Sequence, residues 1–211
     1  MTRAKLLLTS FDPFGGSATN PTIAIAELLR DEYEPRGVAF AQLPVVGGEG
    51  IGSARAVCAE LIKSLRPIVV VHLGEAQGRS RVSVERVAIN LRDSRIPDNG
   101  GSMVADVSVV DGAPDAYFST LPFRALLAAC DRASVANELS LSAGTFLCNE
   151  VMYATLHASA CGVSSVQRSG FIHVPQLPEQ AESRGGPSMD AEESARGIAA
   201  VLEYLLGESL A

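Results

Sequence analysis

The chain has 211 residues, of which 47% are hydrophobic and 19% charged, with a formal net charge of -7 and a mean hydropathy of +0.20. This is enough chain for one well-packed domain and short for two, so residues 1–211 are read as a single domain. The acidic balance argues against a nucleic-acid binder, which would need a basic face to meet phosphates, and against an anionic membrane surface. Trp is absent and aromatics make up only 5%, so aliphatic side chains must fill the core.

The amino-terminal stretch MTRAKLLLTSFDPFGG starts basic and turns apolar. Its apolar run is only Leu6-Leu7-Leu8 before Thr9, Ser10 and Asp12 interrupt it, too short for a secretory signal core. No stretch approaches the length needed to cross a bilayer, and the expectation is a cytoplasmic protein. KLLLTS reads as a strand. NPTIAIAELLRDEY reads as a helix, with Asn20 as its cap and Pro21 at its first position. GVAFAQLPV is a second strand and GGEGIGSARAVCAELIKSL a second helix. PIVVVHLG is a continuous apolar run, the pattern of a strand buried on both faces.

SRVSVERVAINLRDSR alternates and reads as a strand or hairpin arm, with SMVADVSVVDG as a partner. PFRALLAACDRA is a helix, NELSLSAG a strand, LCNEVMYATLHASA a helix and SGFIHVPQ a strand. DAEESARGIAAVLEYLLGE is the last helix, with acids in its first turn. Pro178 to Ser188 is polar and rich in Gly and Pro, and is expected to be a mobile loop or a contact surface. The alternation of strands and helices predicts an α/β fold, a single-domain three-layer α/β/α sandwich around a mostly parallel twisted sheet. Sites in such sheets form beyond the carboxyl ends of the strands. SFDPFGG, HLGEAQGR, AGTFLCN and HVPQ are the segments there.

Nucleotide loops of the G-x-G-x-x-G and P-loop types are absent, as is the G-x-S-x-G elbow of serine hydrolases. The four cysteines, Cys58, Cys130, Cys148 and Cys161, form no C-x-x-C pair or zinc-spaced cluster, so free thiols and no metal are expected. Cys58 and Cys130 share helix faces with aliphatics and read as core. Cys161 lies just past a helix end. Cys148 follows Ala143-Gly144-Thr145, where the backbone can turn tightly, and opens a helix whose free N–H groups and dipole favour thiolate. Two readings stand at this point: a nucleophile, or a small hydrophobe at a helix–sheet junction.

A thiol nucleophile needs a base. His157 is nine positions along the same helix, about 13 Å away by helix rise, and reads as a surface residue. His72 lies inside the buried strand and reads as a core histidine. His173, near the carboxyl end of GFIHVP, is the better placed. Glu85 interrupts the apolar segment VSVERVAIN. It is either the acid that orients the imidazole or an exposed carboxylate paired with Arg81 or Arg86.

SFDPFGGSATNP, GRSRVSVERVAINLRDSRIPDNGG, SAGTFLCNEVMYATLH and GFIHVPQLPEQ together resemble, in order, the four signature regions of the pyroglutamyl-peptidase I (pyrrolidone-carboxylate peptidase) family of cysteine peptidases. The resemblance implies a catalytic triad of Cys148, His173 and Glu85, and removal of N-terminal pyroglutamate from peptides without metal or cofactor. It also implies a cytoplasmic protein, with a homotetramer as the expected assembly. Arg95 matches a family arginine that assists the oxyanion or the substrate. Pyroglutamate is a flat, uncharged lactam, so its pocket needs apolar walls with a donor and an acceptor. Phe11, Phe14 and Phe146 suit the walls, and Leu147 next to Cys148 is counted with them. Asn20 suits fixing the first loop as well as capping the helix. Glu75 and Gln77 depart from the family's Gly-Gln-Ala-Gly-Gly-Arg, and Val45 stands where a hydroxyl residue is common. A carboxylate at position 75, if it faces the pocket, changes the pocket's polarity. The alternatives are a hydrolase of another lactam or acyl-amine, and a catalytically silent binding scaffold.

Overall fold

The computed structural model describes residues 5–207. Met1 to Ala4, the basic start of the chain, and Glu208 at the end of the last expected helix lie outside the described residues. The elements run β1 (Leu6–Phe11), α1 (Pro21–Tyr33), β2 (Val38–Leu43), α2 (Ala54–Leu65), β3 (Val69–Glu75), β4 (Val82–Glu85), β5 (Val87–Ile89) and β6 (Ala116–Phe118). They continue α3 (Phe123–Arg132), β7 (Asn137–Ser140), α4 (Leu147–Ala160), β8 (Arg168–Val174), α5 (Pro178–Arg184) and α6 (Ala191–Gly207).

Six strands form one sheet in the order β2-β1-β3-β8-β4-β7. β2, β1, β3 and β8 are parallel; β4 runs antiparallel to β8, and β7 parallel to β4. Every residue of β1 and β3 is buried, as expected of strands covered on both faces. Two apolar clusters lie on the two faces. One packs Leu6, Leu8, Val69, Val71, Leu73, Val84 and Ile172 against α1, α3 and α6. The other packs Leu7, Val70 and Phe171 against α2 and α4. The three layers follow from this alternation.

Asn20 caps α1 as expected: its Oδ1 accepts from the Thr22 N–H at 3.0 Å, with Pro21 at the first helical position. Its Nδ2 donates to the Asp12 carbonyl at 3.2 Å, so the same side chain ties down the loop after β1. The glycine run before α2 is loop, and that helix begins only after Ser53, whose hydroxyl caps it.

Two expectations are corrected. Residues 80–95 form two short strands and not one hairpin arm paired along 102–112. β4 enters the main sheet and β5 pairs with β6; the expected pairing survives only in the antiparallel bridge of Arg92 with Val107 and the Ser94 N–H bond to the Val104 carbonyl at 2.8 Å. Pro178 to Ser188 is not a loose loop. It contains α5, held at both ends by side-chain amides: Gln180 Nε2 lies 3.0 Å from Ser17 Oγ, and Gln176 Nε2 donates to the Gly185 carbonyl at 2.7 Å.

His72 is a fully buried core histidine, between Thr9 Oγ1 at 2.8 Å from Nδ1 and Thr155 Oγ1 at 3.1 Å from Nε2. Burial pushes its pKa down to about 3, so the native ring is neutral. The unfolded ring binds a proton near pH 6.5. The folded pKa is the lower one, so this stabilisation is complete above that pH and is lost as pH falls toward 3. Between pH 7 and 4 it should remove of the order of 3 kcal/mol. Urea unfolding of His72→Gln should show a flatter dependence on pH over that range than the wild type.

Candidate active site

The site is assembled on the face of the sheet covered by α4. In the parallel register of β3 and β8, Gly74 lies opposite His173. Phe171 and His173 point to this face, two residues apart on β8. β4 brings Glu85 to the same face, and Glu85 Oε1 lies 2.7 Å from His173 Nδ1. Glu85 is fully buried, not an exposed partner of Arg81 or Arg86. Its cation is Arg79, whose Nη1 lies 2.6 Å from the same Oε1 while Nη2 donates to the Ser142 carbonyl at 3.1 Å.

Cys148 is the second residue of α4 and packs over Gly74. A Cβ added to Gly74 would stand 3.1 Å from Cys148 Sγ and 2.6 Å from the Phe171 ring. Only glycine gives the sulfur its seat beside the His173 strand position. Gly144, with φ of 79°, makes the left-handed turn just ahead of α4. The N-cap, Phe146, offers no side-chain bond to the helix. The N–H groups of the first turn, at Leu147, Cys148 and Asn149, therefore have no intrahelical acceptor.

The start of α4 is held by Asn149 and Glu150, which sequence reasoning did not single out, together with Thr145 and the polar segment after β5. Asn149 Oδ1 accepts from the Ile89 N–H at 2.9 Å, and its Nδ2 donates to the carbonyls of Ile89 and Leu91, each at 2.9 Å. Glu150 accepts from Arg92 Nε at 2.9 Å and from the Gly48 N–H at 2.8 Å. Thr145 Oγ1 donates to the Asp93 carbonyl at 2.7 Å. Segment 89–93 thus runs beside the turn that carries Cys148 and fixes it.

The electrostatics correct one expectation. The helix start does not leave Cys148 as a resting thiolate. Burial, then the negative charge of Glu85, push its thiol up to about 12 despite the backbone hydrogen bond and Arg79. Burial also depresses His173, against the hydrogen bond and charge of Glu85. Glu85 is raised by burial, but the His173 hydrogen bond and charge, with Arg79, outweigh this and hold it below the usual carboxylate range. The resting arrangement is a neutral thiol and a neutral imidazole beside an Arg79–Glu85 ion pair. It can move a proton from sulfur to a ring whose cation a carboxylate will hold.

The other sequence-predicted residues divide. Phe11 closes β1 inside the core, 6.2 Å from the Phe171 ring, and is not in the open loop. Phe14 and Phe146 are half-buried against the same apolar cluster, and Leu147 is buried in it. Arg95 is exposed, and none of the site's hydrogen bonds or ion pairs includes it. The Glu75 carboxylate is buried. It leaves β3 on the face opposite Gly74 and is held by Arg184 Nη1 at 2.6 Å and Gln180 Nε2 at 3.0 Å. Val45 is buried in the apolar cluster of the α4 face. His157 is not a surface residue; it is half-buried, with Nδ1 2.9 Å from Tyr117 Oη and its ring stacked on Tyr153.

A cavity of about 490 Å³ lies elsewhere, between α2 and α4, lined by Cys58, Ile62, Val151 and Thr155 among others. Its one thiol, Cys58, is pushed up to about 12 by burial, and no histidine lines it, so the nucleophile–base pair is not there. Among the described residues no group of three His, Cys, Asp or Glu side chains is arranged to hold a metal ion. No helix among them is long and apolar enough to cross a membrane.

Known proteins place this architecture. The family described as pyroglutamyl peptidase matches residues 4–207. A pyrrolidone-carboxylate peptidase of Gloeobacter violaceus is 43% identical over 206 residues, covering 97% of this chain and 98% of that one. One from Pyrococcus furiosus is 41% identical over 212 residues, covering 98% and 100%. The crystal structure of pyroglutamyl peptidase I from Bacillus amyloliquefaciens superposes with a TM-score of 0.89 at 32% identity, over 98% of this chain and 97% of that one. Fold and likeness together define a peptidase, a hydrolase built on a single α/β domain. The chain belongs to the pyroglutamyl peptidase family.

Proposed function

We propose that the protein hydrolyses the bond after an N-terminal pyroglutamyl residue of peptides, using Cys148 as nucleophile, His173 as acid and base, and Glu85 as the group that orients and charges His173. The observation that carries this reading is the Glu85–His173 contact of 2.7 Å on the strand position next to the Gly74 seat of Cys148.

His173 takes the Cys148 proton as the sulfur attacks the pyroglutamyl carbonyl, so no free thiolate has to persist in the buried site. The carbonyl oxygen becomes an oxyanion at the start of α4, where first-turn N–H groups and the helix dipole stabilise it. His173 then protonates the departing amine. The acyl group stays on sulfur as a thioester. Water, deprotonated by His173, attacks the thioester, and the sulfur leaves with the proton returned to it. Throughout, the imidazolium is paired with Glu85. Arg95, exposed and outside the hydrogen bonds of the site, would assist the oxyanion or the substrate by turning toward the carbonyl on binding.

The lactam nitrogen of pyroglutamate is uncharged, so the pocket needs apolar walls and no carboxylate for an ammonium group. Phe14 and Phe146 suit the walls. The pairing of Glu75 with Arg184 and Gln180 fits this reading, because it keeps a carboxylate off the lactam side. A substrate panel tests it. Fluorogenic pyroglutamyl-amide should be cleaved at least about a hundredfold faster than prolyl- or glutaminyl-amide, each of which places an ammonium group in the pocket. Equal rates, or cleavage only of other lactams, would reassign the substrate; no cleavage of any would point to a binding scaffold. A cytoplasmic location and a homotetramer belong to the same reading. The four cysteines, all free, suit a reducing compartment, and light scattering of the purified protein tests the assembly.

A further inference from the structure

Glu75 is a buried carboxylate that the proposed reaction does not use. Its side chain is 1% exposed, and it sits one residue after the glycine that seats Cys148. Both of its oxygens are engaged by α5: Oε1 with Arg184 Nη1 at 2.6 Å and Oε2 with Gln180 Nε2 at 3.0 Å. Gln180 also reaches Ser17 Oγ at 3.0 Å, and its Oε1 accepts from the Leu177 N–H at 2.8 Å. α5 is therefore docked onto the carboxyl end of β3 and the loop after β1 through this one carboxylate and one amide.

The charges around Cys148 are Glu85 and Arg79 on its own face of the sheet, His173 on β8, and Glu75 with Arg184 behind β3. Glu85 and, more weakly, Glu75 already work against a negative sulfur, and Arg79 offsets them in part. A second uncompensated carboxylate one residue from the sulfur's seat would add to that opposition, because buried charges are poorly screened. We infer that Arg184 is a positioning residue for the nucleophile. Its ion pair with Glu75 offsets part of the carboxylate's charge behind β3, so that Cys148 can give up its proton to His173.

This rests on Cys148 being the nucleophile, but its test does not need the substrate. Alkylation of Cys148 by iodoacetamide is followed from pH 6 to 10 in the full chain, with each cysteine read separately by peptide mass spectrometry and exposed Cys161 as the internal reference. In Arg184→Ala the Cys148 rate at pH 8 should fall roughly three- to tenfold relative to Cys161, with its pH curve displaced upward. Arg184→Lys should retain most of the wild-type rate. The double variant Glu75→Gln/Arg184→Ala should return toward the wild-type curve, although its α5 docking is weakened further. A wild-type curve in Arg184→Ala would overturn the inference. So would a double variant as depressed as the single one, since α5 would then act through docking and not through charge. Should Arg184→Ala not fold, Glu75→Gln alone decides: a curve displaced to lower pH supports the inference, and an unmoved curve overturns it. A wild type that fails to cleave pyroglutamyl-amides would sink the proposed substrate while leaving these curves readable.

Discussion

Cys148→Ala should lose hydrolysis of a pyroglutamyl-amide by at least about a thousandfold in kcat/KM, with little change in thermal unfolding. The expectation comes from where the sulfur sits. It is the only thiol placed at a helix start beside a histidine that already has a carboxylate on its far nitrogen. On the proposed mechanism, the oxyanion site and the base would remain without it, but nothing would form the acyl-enzyme. Cys148 packs at the edge of the apolar cluster, so truncating it to Ala removes one small group there. Cys148→Ser should be nearly as inactive, since a hydroxyl in this apolar seat gives up its proton far less readily than a thiol. Steady-state assays beside a melting curve check both variants. Near-normal turnover in Cys148→Ala would remove the sulfur from the mechanism.

The second large effect is expected at Glu85. Glu85→Gln should lower kcat by roughly a hundred- to ten-thousandfold. The carboxylate does two things: it accepts from His173 Nδ1, and it carries the charge that makes an imidazolium tolerable in a buried site. The substitution also leaves the Arg79 guanidinium without its anion. The pH profile separates this from simple misfolding. Glu85 raises the His173 pKa against the burial that lowers it. Removing it lowers His173 further, so the base form survives to lower pH and the acidic limb of kcat/KM should move down. Arg79 acts on His173 in the opposite sense. Arg79→Ala should therefore move the same limb to higher pH, with a smaller loss of rate. Two limbs moving the same way would contradict this account of the Arg79–Glu85–His173 chain.

The elements with local signals were legible in the sequence. Asn20-Pro21 announces α1 because the cap and the proline both act within one turn. The run after Pro67 announces β3 because a strand covered on both faces has no polar side to reveal. The layered α/β architecture follows from such elements in alternation. The β4 region was less legible. Its pairing with β8 and β7 joins segments about fifty to ninety residues apart, which no local pattern encodes. α5 was missed for a related reason. Its seven residues look polar and breakable, and what holds them is Ser17, 163 residues before Gln180, and Glu75, 109 before Arg184.

At the site, Cys148, His173 and Glu85 could be named as candidates from their positions at strand ends and a helix start. The charge that completes the group could not. Arg79, Arg81 and Arg86 all lie near Glu85 in sequence, and only the turn after β3 brings Arg79 back onto it. Arg86 instead stacks over Phe118 and Phe123 and donates to the Ser119 carbonyl. The resting protonation of Cys148 was also out of reach. A helix start favours thiolate, and only the depth of burial tells that desolvation wins.

The most direct test of Cys148 as a nucleophile is to trap the acyl-enzyme. The protein is mixed with a pyroglutamyl ester, whose leaving group departs fast enough for the intermediate to accumulate. It is quenched in acid within the first turnovers and digested for mass spectrometry. The account predicts a pyroglutamyl group on the peptide carrying Cys148, labile to hydroxylamine as a thioester is, and absent from Cys148→Ser. Rapid turnover of the ester with no acyl group on Cys148, or with the group on another residue, would contradict it.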